Sequence, residues 1–155
     1  MLKRFCLTSS LVLFAASVVA PQMASAMLFE KHPGYLHAMS DLRYARYLIA
    51  RPDQPNVDND ENNAVREIDA CLNDLTRASI NDGKNPNDHP WPDLGIDFKG
   101  RLHKAVDALN KAYHDMDKEE DDPYNRGLQQ RAVAHVERAR SFVKKAIHDK
   151  YKDML

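Results

Sequence analysis

Four stretches of this chain repeat apolar residues at intervals of three and four, and each is closed off by proline, asparagine or aspartate. The first runs from about Pro33 to Ala50, with Tyr35, Ala38, Met39, Leu42, Ala45 and Ile49 on one face. The second, about Asn59 to Ile80, carries Val65, Ile68, Leu72, Leu75 and Ser79, flanked by Ala64, Cys71 and Ala78. The third, about Phe98 to Lys118, turns Leu102, Ala105, Val106, Leu109, Ala112, Tyr113 and Met116 inward. In the fourth, Asp122 and Pro123 supply an N-cap and a first helical residue. Its stripe then runs through Leu128, Ala132, His135, Val136, Ala139, Phe142, Val143, Ala146 and Ile147. Such spacing places apolar groups on one side of an α-helix, whereas a half-buried strand needs a period of two, which no stretch shows. Asp58 with Glu61 three residues on resembles a capping box for the second helix.

Four amphipathic helices bury their stripes most simply against one another. The expected fold is all-α: an antiparallel up-down-up-down four-helix bundle over residues 27–155, with a long loop between helices 2 and 3. That loop, Asp82 to Asp97, contains Pro86, Pro90 and Pro92. Loops of this length inside a compact domain are uncommon and often functional. The echo of Leu36-His37-x-x-x-Asp41 in Leu102-His103-x-x-x-Asp107 is what a duplicated helical hairpin would leave.

Residues 1–26 read as an export signal. Lys3 and Arg4 precede the apolar run Leu11–Ala20, Pro21 breaks it, and Ala24-Ser25-Ala26 offers a small-x-small cleavage site. The run is too short for a spanning helix, which takes about 20 residues. Cleavage after Ala26 predicts a periplasmic or secreted protein with no membrane attachment. It also removes Lys3 and Arg4, the only charges in the segment, taking the formal net charge from -1 to -3. Near-balanced charge argues against a nucleic-acid partner. Cys71 is then the only thiol, so packing and not disulfides must hold the fold; it reads as a core residue.

No serine-nucleophile elbow, HExxH or paired CxxC is present, and the chain is not expected to be an enzyme. The acidic run Asp115 to Asp122 lacks the EF-hand glycine and terminal glutamate. It reads as a solvated, favourably charged approach to helix 4.

The histidines carry more information. In an up-down-up-down bundle, the starts of helices 1 and 3 share a pole with the ends of helices 2 and 4. His32, His37, His89, His103 and His148 would then gather at the loop-bearing pole, close to several aspartates. Imidazole and carboxylate are the ligands that Zn, Cu and Ni sites use. The expectation is an exported binding or interaction module, its sharp form a divalent transition-metal site built from those five histidines. The alternative is a structural or protein-interaction bundle without metal, with Trp91 in the proline-rich loop as its contact surface. A remote alternative is b-type haem held by Met39 and His148; covalent haem is excluded, because CxxCH is absent. His135 sits in an apolar stripe and calls for a hydrogen-bond partner in the core.

The strings Asp82–Pro90 (DGKNPNDHP), Leu102–Ala112 (LHKAVDALNKA) and Glu119–Ala132 (EEDDPYNRGLQQRA) resemble those of a group of small exported helical proteins of unassigned function. The resemblance spans roughly Glu30 to His148. It implies a single helical domain and carries no activity.

Overall fold

The computed structural model describes residues 34–51, 53, 55–88, 90–92, 100–118 and 120–152. The expected leader, residues 1–26, lies outside them, as do His32 and His89. Among the described residues there are four helices and no strand: α1 (Tyr35–Ile49), α2 (Pro55–Asn81), α3 (Arg101–Met116) and α4 (Pro123–Lys152).

Local chemistry accounts for the start of α4 and the end of α2. The Asp122 carboxylate accepts from the backbone N–H groups of Tyr124 at 2.7 Å and Asn125 at 3.1 Å, satisfying donors that a helix start leaves open. α2 ends in a Schellman turn. Gly83 takes a φ of 69°, which costs a glycine little. The N–H groups of Gly83 and Lys84 donate back to Ile80 O and Ser79 O at 3.0 and 2.8 Å. The start of α2 departs from expectation. The helix begins one turn earlier, at Pro55, so Asp58 lies within it and Glu61 does not close a capping box. Glu61 is drawn off by Arg101, described below.

The core is one cluster shared by all four helices. Every helix contributes small residues seven apart: Ala38 and Ala45, then Ala64, Cys71 and Ala78, then Ala105 and Ala112, then Ala132, Ala139 and Ala146, all fully buried. Two turns of helix separate such positions, so each forms one straight seam. Larger side chains fill between them, among them Tyr35, Met39, Leu42, Ile68, Leu75, Leu109, Met116 and Val136. In α2 the seam passes through Ala64, Cys71 and Ala78, and Val65 and Leu72 are only partly buried against it. The stripe is thus rotated slightly from the one its largest apolar residues suggest.

The helix directions do not alternate as expected. Gly34, just before α1, donates to Asp115 O near the end of α3 at 2.8 Å, while Arg101 at the start of α3 reaches Leu48 O and Ile49 O at the end of α1. α1 and α3 are therefore antiparallel. So are α2 and α4: Asn81 pairs with Asn125, Asp74 with Arg131 and Asp60 with Lys145. Thr76 against Met39 and Arg46 against Asp69 show the same for α1 and α2. Gln129 against Met116 O and Tyr151 against His103 show it for α3 and α4. The order is up-down-down-up. The starts of α1 and α4 and the ends of α2 and α3 share one end of the molecule, called here the Tyr35 end; the opposite end is the Arg101 end. Alternation assumes that each link joins adjacent ends, but residues 82–100 run from one end to the other. α3 is about 24 Å long at 1.5 Å per residue, a span well within that segment's reach.

None of the described helices is long and apolar enough to cross a membrane.

Candidate functional site

The reversed direction of α3 divides the five histidines. His37 lies one turn into α1 at the Tyr35 end, whereas His103 and His148 lie at the Arg101 end. Along the axis His37 and His103 are separated by on the order of 15 Å, so no single ion can be shared by all five. Among the described residues, no three His, Cys, Asp or Glu side chains form a group able to hold a metal ion. The haem pair is divided in the same way. Met39 is fully buried in the first half of α1, its sulfur 3.7 Å from the Thr76 hydroxyl, and His148 is exposed near the far end of α4. His135 finds a partner, but at the edge of the core and not within it: it is half-buried, and Nδ1 lies 2.6 Å from Oε2 of half-buried Glu67, the oxygen that also accepts from Arg138 Nε at 2.8 Å. Cys71 is fully buried, as expected of a core thiol.

What the crossover from α2 to α3 presents is different in kind. It leaves α2 at the Gly83 turn, Arg43 of α1 donates to Pro86 O at 3.4 Å, and Pro90 and Pro92 are half-buried. Between these two prolines Trp91 is 91% exposed, the most exposed large apolar residue described. Proline fixes its own φ and biases the preceding residue towards extended backbone. The indole thus projects from a stiffened segment between two half-buried prolines. Beneath it a cleft of about 420 Å³ is lined by Gly34, Tyr35, Leu36, His37, Lys84, Asp88 and Pro90. Of the three sequence-predicted ligands among the described residues, His37 lines it, and His103 and His148 do not.

Two charged clusters close the ends, and neither was read from the sequence. At the Arg101 end the guanidinium of Arg101 donates to Leu48 O at 2.6 Å, Ile49 O at 3.1 Å, Asp53 at 2.5 Å and Glu61 at 2.7 Å. Lys150 of α4 joins Asp53 at 2.7 Å. One arginine thus caps the carbonyl end of α1 and ties in the α1–α2 link, α2 and, through Asp53, α4. Burial pushes the Glu61 carboxyl above its ordinary range, and the pull of Arg101 offsets this only in part. A signal was available: a cation at the first position of a helix opposes the helix dipole and so asks for an outside partner.

At the Tyr35 end the Tyr35 hydroxyl donates to Glu120 Oε2 at 2.6 Å, and the backbone N–H of Asp122 donates to Oε1 at 3.0 Å. Glu120 is 2% exposed. The acidic run is therefore not simply a solvated approach to α4, because one of its members is a buried strut. Burial raises the Tyr35 phenol above its ordinary range, and the carboxylates of Glu120, Asp82 and Asp122 add to the effect. Its proton therefore stays in place for donation.

Comparison with protein-family models, curated proteins and solved structures found no match.

Proposed function

We propose that the protein is an exported binding module, a four-helix bundle whose α2–α3 crossover offers Trp91 to a protein partner. The observation that carries this reading is the near-complete exposure of Trp91 between two half-buried prolines. A solvated indole is a poor use of the largest apolar side chain, whereas a pre-ordered aromatic anchor loses little entropy when it docks. Catalysis has no comparable support. A photo-crosslinking amino acid at position 91, introduced in exporting cells, is expected to give one discrete adduct. The same group at Asn73 or Glu137, exposed positions in α2 and α4, is expected to give none. A diffuse or absent adduct at 91 would overturn the reading.

One observation favours a second reading, a divalent metal at the cleft beneath the crossover. His37 and Asp88 both line it; in the chain His89 is bonded to Asp88, and His32 precedes Gly34 by two residues. Titration with Zn²⁺, Cu²⁺ and Ni²⁺ would then show binding that weakens towards pH 5 as imidazoles protonate. Replacing His32, His37 and His89 by alanine would abolish it, and replacing His103 and His148 would not. Equal binding by both variants would overturn this reading.

A further inference from the structure

The α3/α4 face at the Arg101 end carries a groove of about 270 Å³ lined by His103, Val106, Asp107, Lys144 and Ile147. Its floor is apolar: Val106 and Ile147 pack on the core yet keep part of their surface open. Its rim carries one carboxylate, Asp107, and one ammonium, Lys144. Lys144 is exposed and makes no ion pair among the described residues, unlike its neighbours Lys145 and Lys150, which are held by Asp60, Asp149 and Asp53. Asp107 is already engaged. Next to the groove the rings of His103 and Tyr151 lie 6.3 Å apart, so aromatic surface extends the apolar floor. The volume is below the usual range for a drug-sized ligand, about 300–1,000 Å³, and suits one large side chain. A complementary group is therefore a single bulky apolar side chain with negative charge beside it.

The chain itself carries that group. Trp91 is its only tryptophan, and it stands clear of its own groove, with Asp88 exposed three residues before it. We propose that the α3/α4 groove of one copy receives Trp91 of a second copy. The indole covers Val106 and Ile147, the Lys144 ammonium lies over its face as a cation–π partner, and Asp88 faces that same ammonium. The inference rests on Trp91 being a contact residue and adds what the contact is made to. Because the two patches differ, the association is either reciprocal and closes as a dimer or continues as a chain of copies.

The single indole is its own reporter. In sedimentation and fluorescence measurements from about 10 μM to about 1 mM, where an association of this modest size should be visible, mass should rise and Trp91 emission shift to the blue together. Lys144→Glu should weaken association roughly tenfold, the scale of a lost cation–π contact and a new repulsion. Trp91→Ala should stay monomeric. Both positions are exposed, so helical circular dichroism should not change in either variant. A monomer with fully hydrated emission throughout would overturn the proposal. So would association undiminished by either substitution. The fate of the underlying reading is separate: a position-91 crosslink to a different protein would leave Trp91 a contact residue while removing the second copy as its partner.

Discussion

Arg101 opens α3, where the partial positive charge of a helix start makes a guanidinium unwelcome. Its compensation is tertiary, and its removal should be costly. Arg101→Ala leaves Glu61 and the last carbonyls of α1 without their donor and Asp53 with Lys150 alone, so urea unfolding should show a loss of about 3 kcal/mol, the scale for breaking a largely buried pair. Arg46→Ala should cost less than about 1 kcal/mol, because the Arg46–Asp69 pair is nearly half exposed on both sides. Two glutamates should respond to pH in opposite directions. Burial holds Glu61 above its ordinary range. The folded chain therefore keeps a proton there that the unfolded chain has released, and the Glu61 contribution to stability falls as pH rises from the ordinary carboxylate value through the raised one. Burial also pushes Glu67 upward, but hydrogen bonds from His135 and Arg138 outweigh it and hold the carboxyl below its ordinary range. Its contribution is full above the ordinary value and is lost as pH falls through the depressed one. Unfolding of Glu61→Gln and Glu67→Gln across pH 3–7 should show differences from the parent chain with opposite slopes. Parallel slopes would contradict the two environments.

At the level of helices, ends and seams were legible to different degrees. Asp122-Pro123 announces the start of α4, because both residues act locally, and Asp122→Ala should cost about 1 kcal/mol of stability, the usual worth of a cap. The α2 start was misread because Asp58 and Glu61 have the spacing of a local motif, while the partner that claims Glu61 lies forty residues away. The alanine seams were present in the stripes but understated by them, since volume and not hydrophobicity marks an interface between close helices. Ala139→Leu, placing extra methylenes in the seam of α4, should cost about 1–3 kcal/mol. An exposed neighbour such as Arg138 should accept leucine with a smaller loss. Circular dichroism melts of the two would distinguish a tight seam from a loose one.

For the molecule as a whole, helix content follows from periodicity but helix direction does not. The periodicity says which side of each rod is buried and nothing about which way it points. Direction was inferred from link length, and residues 82–100 are long enough either to loop back or to cross. The histidine grouping rested on that inference, and its division between the two ends is the consequence. Spin labels at His37 and Lys118 should report a much shorter distance than labels at His37 and His103, and the reverse would restore alternating rods. The observed order also suits the echo between Leu36–Asp41 and Leu102–Asp107, because α1 with α2 and α3 with α4 each form an antiparallel pair, as two copies of one helical hairpin would.

Cys71 sits midway along the α2 seam, fully buried, with burial and nearby Asp74 pushing its thiol well above the ordinary range. Since only the thiolate attacks disulfides and alkylating reagents, the sulfur is silent while the core around it stays closed. Labelling kinetics at that one atom would therefore count how often the middle of the molecule comes apart, giving the chain a clock for its own breathing.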